Sequence, residues 1–182
     1  MKTLNVIGAY HLNLEPFIDN RGSFTKVLNS KSLHQYLGFE YIARQSIISK
    51  NTKKGTLRGL HFQGHPLNET KLVFCLEGTI LDVFVDLRPD SPTYLKSETV
   101  VLESKIPSIL VVPEQCAHGF QTLEDNSTLF YFSNIDYFKD SDAGVNPFSS
   151  QLKGIWPLVP TEISDRDLSL PQIEEFPWLK YY

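Results

Sequence analysis

Alternation of apolar and polar positions dominates roughly the first 135 residues of the chain. Residues 3–14 alternate weakly and predict an opening strand. Asp19-Asn20-Arg21-Gly22 reads as a turn, since Asp and Asn bond locally and Gly tolerates positive φ. Ser23 to Leu28 then predicts a strand, and residues 30–37 a short helix with Ser30 as its cap and Gly38 as its stop. Tyr41 to Ser49, rich in aromatic and β-branched residues, predicts another strand. Lys53-Lys54-Gly55 turns the chain into the run 55–63. There strict alternation puts Leu57, Gly59, His61 and Gln63 on one face and Thr56, Arg58, Leu60 and Phe62 on the other. Thr70–Leu76 and Thr79–Leu87, joined only by Glu77-Gly78, predict a hairpin. In its second arm Leu81, Val83, Val85 and Leu87 share a face. The other face carries Asp82, Phe84 and Asp86, and either lines a polar cavity or meets water.

Further short strands are predicted near 97–103, 107–112, 118–123 and 128–133. Short strands with turn signals every 8–12 or so residues imply a sandwich or barrel. From about residue 135 the periodicity is lost, with prolines at 147, 157, 160, 171 and 177. Two Trp and several Tyr and Phe make this a segment wrapped on the barrel rather than a disordered tail. There is no internal repeat or interdomain linker, so the expectation is one domain over residues 1–182.

Composition narrows the picture modestly. Hydrophobic content of 41% and charged content of 21% describe an ordinary globular chain. A net charge of −4 gives no global reason to expect a nucleic-acid partner. No apolar run reaches membrane-spanning length, and the N-terminal apolar stretch is too short for a secretory signal, so the cytoplasm is expected. Cys75 and Cys116 form no spacing pattern and read as free thiols, with a single disulfide as the lesser alternative.

Of the five histidines, His11, His34 and His65 sit without polar company and read as surface residues. A lone His in a strand is ordinarily structural too. His61 and His118, however, both lie in barrel strands beside Gly, and inward positions of distant strands meet around one cavity. Barrels of the cupin type hold a metal with His-X-His, a nearby Glu and a later His. Here position 63 is Gln, which leaves His61, His118 and Glu69 as a thin ligand set. The other reading is proton transfer. A neutral imidazole in a partly dry cavity is a fair base. Lys71 or Arg58 could stabilise charge developing on oxygen, and Tyr131 is a phenol able to donate a proton.

A set of motifs in fixed order adds to this. They are Asp19-Asn-Arg-Gly-Ser-Phe24, Gly55-Thr-Leu-Arg-Gly-Leu-His-Phe-Gln63, Thr70-Lys-Leu-Val73, Asp82-Val-Phe-Val-Asp-Leu-Arg88 with Ser91-Pro-Thr93, Val112-Pro113 with Ala117-His-Gly-Phe120, Tyr131 with Tyr137, Trp156-Pro157, and Ser164-Asp-Arg-Asp167 with Pro171. In these residues the chain resembles the dTDP-4-dehydrorhamnose 3,5-epimerase family, from about Phe17 to Pro171. The resemblance implies a mainly β, cupin-like jelly roll that needs neither metal nor redox cofactor. It implies a homodimer whose N-terminal segment contributes across the interface, and a nucleotide-linked 4-keto-6-deoxy sugar as substrate. Carried onto this chain, it makes His61 the general base, Asp167 the acid that orients it, Tyr131 the general acid and Lys71 the group that stabilises an enolate oxygen. Arg58 and His118 would lie in the substrate pocket, and Arg21 and Phe24 would contact the nucleotide end. Lys26, Gln45, Tyr137, Asp142 and Ser164 complete the implied substrate surroundings.

The chain departs from the family pattern in places. Lys26 stands where Glu is frequent, Gln45-Ser-Ile-Ile48 replaces Gln-x-Asn, and Phe138 and Asp142 replace Tyr and Glu. The segment 144–150 diverges, and Gly154-Ile-Trp-Pro157 is one residue shorter. These differences leave open the nucleotide base, with CDP- or GDP-linked sugars as alternatives, and whether C3, C5 or both are inverted. The resemblance implies a place in deoxysugar and surface-polysaccharide synthesis. A metal-dependent cupin enzyme and a non-catalytic sugar-nucleotide-binding module are the competing classes.

Overall fold

Two antiparallel sheets face each other in a computed structural model that describes residues 2–176. The first sheet takes β1 (Lys2–Thr3), β2 (Tyr10–Asn13), β5 (Gln45–Asn51), β7 (Lys71–Glu77), β10 (Ser108–Val112) and β12 (Ser127–Ser133), in the order β1-β2-β10-β7-β12-β5. The second takes β6 (Leu57–Gln63), β8 (Thr79–Asp86), β9 (Ser97–Glu103), β11 (Cys116–Thr122) and β13 (Asp142–Gly144), in the order β13-β6-β11-β8-β9. A separate hairpin pairs β3 (Phe17–Asp19) with β4 (Gly22–Phe24). This is the expected mainly β jelly roll.

Alternation explains how three apolar layers fill. Between the sheets lie Val73, Leu110, Val112 and Leu129 from the first and Ile80, Phe84 and Phe120 from the second. The outer face of the second sheet, including Leu81, Val83, Val85 and Leu87, is covered by Leu152, Ile173 and Phe176 of the C-terminal segment. That cover is why β8 is buried on nearly every residue. The outer face of the first sheet packs Leu72, Phe74 and Val111 against Leu33 of α1 (Ser30–Leu37). A fully buried side chain of this kind contributes roughly 1.5–3 kcal/mol. The irregular C-terminal stretch is therefore a structural wall, as its composition suggested; Pro177 lies outside the described residues.

Several boundaries differ from the pattern. The opening strand 3–14 breaks at a turn through Gly8 (φ +83°), where Arg88 donates to the Ile7 carbonyl at 2.8 Å. Extended pairing after the first hairpin ends at Phe24, not Leu28, because its partner strand is only three residues long. The helix cap is Asn29, whose Oδ1 accepts the Ser32 N–H at 3.2 Å, while Ser30 instead donates to the Tyr41 carbonyl. β5 begins at Gln45 rather than Tyr41, since Tyr41 is turned fully inward and its hydroxyl donates to the Thr70 carbonyl. His11 is half-buried in β2, not at the surface.

Two differences matter more. β7 and β8 do not form a hairpin: the chain crosses from one sheet to the other at Gly78 (φ +70°). A Cβ on Gly78 would meet the Ser127 side chain at 2.5 Å. The strict alternation through 57–63 also fails. His118 of β11 pairs with His61, but Phe120 pairs with Arg58, so β6 holds one extra residue in that interval. Such a bulge re-aims side chains, and Arg58 and His61 both face the interior. Gly59 (φ +108°) and Gly119 make room for it, since a Cβ on Gly59 would lie 2.6 Å from Gly119 Cα.

At the closed end Asp86, fully buried, is neutralised by a dense shell. Arg88 Nε and Nη2 donate to its two oxygens at 2.8 and 2.9 Å, and Ser91 and Thr93 hydroxyls donate at 2.6 Å each. The Asp-Phe-Asp face of β8 is thus interior. Phe84 is core, Asp86 anchors the loop after β8, and Asp82 faces the site described next.

Candidate active site

A cavity of about 780 Å³ opens between the sheets at the other end of the barrel. β6 contributes Arg58 and His61, β11 contributes His118 and Phe120, β7 contributes Lys71 and β12 contributes Tyr131. Asp167 and Ser164 arrive from the C-terminal segment on α2 (Asp165–Leu168). Lys71 and Tyr131 belong to the first sheet and His61 and His118 to the second, so the two pairs occupy facing walls.

Local sequence sets each side chain. Ser164 caps α2 and accepts the Asp167 N–H at 3.0 Å, which fixes where Asp167 points. Asp167 Oδ1 lies 2.7 Å from His61 Nε2, and Oδ2 accepts the Gly59 N–H at 3.0 Å. Burial alone would raise the Asp167 carboxyl. The bonds from His61, Gly59 and Ser164 outweigh it and hold the group below the usual carboxylate range. With Asp167 ionised, Nε2 of a neutral His61 donates to it and Nδ1 keeps its lone pair. That arrangement can take a proton from a ligand in the cavity.

On the facing wall, Lys71 Nζ pairs with Glu69 at 2.9 Å and reaches the His61 carbonyl at 3.3 Å. Burial would raise Glu69, but Lys71 and then Ser133 pull it below its ordinary value, so the pair is ionised. The Tyr131 phenol is pushed up, chiefly by burial, with Lys71 pulling back and Glu69 and Asp142 pushing further. It holds its proton at neutral pH and can give it only to a strong base such as a carbanion.

Seven of the expected site residues therefore meet in one cavity: His61, Lys71, Tyr131, Asp167, Arg58, His118 and Ser164. Gln45, Tyr137 and Asp142 line a smaller lobe of about 260 Å³ that shares His61, Lys71 and Tyr131 with it. Asp142 there accepts from the Tyr137 hydroxyl at 3.0 Å and from Arg166 at 2.7 Å. Arg21 and Phe24 are not brought to the cavity of their own chain. They sit with Phe17 and Ile18 on the β3–β4 hairpin, and Lys26 is exposed just beyond it.

Sequence reasoning missed two acid partners, those of Lys71 and His118. Glu69, a metal-ligand candidate by sequence, neutralises Lys71 instead. Asp82 binds His118 Nε2 at 2.8 Å; its place beside Phe84 on one face of the strand was the available signal. Arg166 and Ile47, which line both lobes, carried none. Among the described residues no three His, Cys, Asp or Glu side chains are grouped to hold a metal ion. Both imidazoles already use Nε2 on a carboxylate, and Gln63 accepts the Phe138 N–H at 3.3 Å.

Comparison with known proteins agrees with this geometry. The family model described as dTDP-4-dehydrorhamnose 3,5-epimerase matches residues 3–175. The chain is 33% identical over 177 residues to the dTDP-4-dehydrorhamnose 3,5-epimerase of Mycobacterium tuberculosis, covering 96% of this chain and 87% of that one. It is 30% identical over 167 residues to the dTDP-4-dehydrorhamnose 3-epimerase of Streptomyces niveus, covering 92% and 80%. The crystal structure of the 3,5-epimerase of Bacillus anthracis with TDP and pyrophosphate bound superposes with a TM-score of 0.86 at 37% identity, covering 93% of this chain and 99% of that one.

Proposed function

The chain belongs to the dTDP-4-dehydrorhamnose 3,5-epimerase family and is a sugar-nucleotide epimerase, and from that premise we propose that His61 and Tyr131 invert a 4-keto-6-deoxy sugar from opposite sides of its ring. The C4 ketone acidifies the hydrogens on C3 and C5. His61 Nδ1 removes one as its Nε2–H leans on Asp167. Electrons move into the C4 carbonyl, and the enolate oxygen is met by Lys71. Tyr131 then delivers a proton to the same carbon from the facing wall, which inverts it. The observation that carries this reading is the separation of the two groups: His61, backed by Asp167 from α2, on one sheet and Tyr131 with Lys71 on the other, around one cavity. A module that only bound the sugar nucleotide would have no use for a base and an acid on opposite walls.

The nucleotide extends through the wider cavity toward Arg58. The β3–β4 hairpin completes the nucleotide site of a second copy of the chain in a homodimer. Support for this is its exposed apolar surface, with Phe17, Ile18 and Phe24 each more than 60% exposed, beside an Arg21 that has no ligand-facing role in its own barrel.

The test is NMR of the protein in deuterated water with dTDP-, CDP- and GDP-linked 4-keto-6-deoxy sugars. Deuterium entering C3, C5 or both, with inversion at the same carbon, is expected. C3 and C5 are read separately, because relatives that invert both carbons and a relative named for C3 alone are similar to this chain. No exchange on any of the sugars, with tight binding retained, would replace the reading with a binding module.

A further inference from the structure

Two His–Asp dyads lie side by side on β6 and β11, and their surroundings are opposite. His61 and His118 are direct cross-strand partners. The Asp167 carboxylate is fully bonded, with both oxygens accepting N–H groups, and its His is about one-third exposed. The Asp82 carboxylate is 0% exposed, its His118 partner only 6% exposed, and Asp82 Oδ1 is buried without a hydrogen-bond partner. A buried, half-satisfied carboxylate is a costly anion. We infer that the Asp82–His118 pair holds one proton more than the Asp167–His61 pair, so that His118 presents Nδ1–H to the cavity as a second donor, beside Lys71, for the enolate oxygen.

The inference needs only the connectivity of the imidazole. His118 spends Nε2 on Asp82. If the shared proton sits on Asp82, its O–H donates to Nε2 and the ring proton is on Nδ1. If it sits on Nε2, the ring is an imidazolium and Nδ1 is again protonated. A lone pair is left on Nδ1 only if the pair loses one proton or if the extra proton sits on Asp82 Oδ1, where it would have no acceptor. Burial pushes Asp82 above the ordinary carboxylate range, against the pull of His118 and Lys71. The groups around His118 do not reverse this. Arg58 and His61 face it from β6, Asp82 from β8, Tyr131 from β12 and Lys71 from β7, with Lys71 neutralised by Glu69. Because Lys71 is already paired with Glu69, a developing oxyanion gains from a second donor whose own charge is balanced internally. Asp82 is accordingly a positioning residue, acting through His118. Neighbouring dyads pushed to opposite protonation states divide base and donor roles between two chemically identical pairs.

The proposal rests on the enolate reading for its function but not for its first test. Nitrogen-15 NMR of ring-labelled protein at pH 7 should show His118 Nδ1 protonated and His61 Nδ1 unprotonated. An unprotonated His118 Nδ1 overturns the proposal whether or not any sugar turns over. In Asp82→Asn the amide can donate to Nε2 and keep the ring proton on Nδ1, so kcat should fall less than about tenfold, whereas Asp82→Leu should lower kcat about 10²-fold with KM changed less than about threefold and move the alkaline limb of the pH–kcat profile to lower pH. His118→Gln, which keeps a donor, should retain more kcat than His118→Ala. A rise in KM with kcat intact would make His118 a ground-state binding group, and an unmoved alkaline limb would make Asp82 structural; either result defeats the inference.

Discussion

His118 stands directly across from His61 on the neighbouring strand, and each imidazole gives its Nε2 to a different aspartate, Asp82 at 2.8 Å and Asp167 at 2.7 Å. The bulge at Gly59 makes that pairing useful, because it turns Arg58 and His61 to the same side.

Asp167→Asn keeps the size of the side chain but loses the charge that orients His61. The amide can donate to Nε2 and trap the wrong tautomer. Exchange of solvent deuterium into the sugar should fall by about 10²–10⁴-fold, comparable to His61→Ala, with substrate affinity nearly unchanged. Exchange at the wild-type rate in both variants would remove His61 as the base.

Tyr131→Phe should separate the two half-reactions. Proton removal by His61 needs no phenol, so deuterium still enters the substrate. Inverted product should fall by about 10²-fold or more. Single-turnover NMR, following exchange and configuration together, checks this. Equal loss of both would mean that Tyr131 positions the ring and does not protonate it.

Acid stability should report on Asp86. Burial opposes its ionisation, but Arg88, Ser91 and Thr93 hold the carboxyl below its ordinary value. A depressed folded-state value means that its stabilisation is complete above the unfolded carboxylate range near pH 4, and is lost as pH falls through the lower folded value. Asp86→Ala, which strands the half-buried Arg88 guanidinium, should cost about 2–4 kcal/mol at pH 7. The difference in melting temperature from the wild type should shrink below about pH 3–4. A constant difference at all pH values would show that the loss is one of packing alone.

Subunit mixing tests the hairpin. Arg21→Ala should raise KM for the sugar nucleotide. Refolding it with inactive His61→Ala should restore about a quarter of wild-type activity, because half the dimers are hybrids with one intact site. Activity equal to the sum of the unmixed variants would place each hairpin on its own barrel.

Much of the molecule was legible along the chain. Alternation located most strands of both sheets, because each strand buries one face between the sheets and the period of two survives whatever it pairs with. The helix at 30–37 and its Gly38 stop are local events. The residues of the main cavity were legible through motifs whose order along the chain is itself sequence information. Other features were not, for reasons that lie outside any local window. Gly78 looked like a hairpin turn because a two-residue link does not say whether the next strand stays in its sheet; the space beside Ser127 and the demand to close the barrel decide that. The Gly59 bulge depends on Gly119, 60 positions away in the chain, leaving room for it. His61 and His118 are chemically identical residues beside glycines. Which of them meets an ionised, fully bonded Asp and which a buried, half-bonded one is decided by the depth each carboxylate reaches. Depth is a property of the packed barrel: the sequence determined which groups would line the cavity, and the tertiary structure decided the surroundings that hold or release each group's proton.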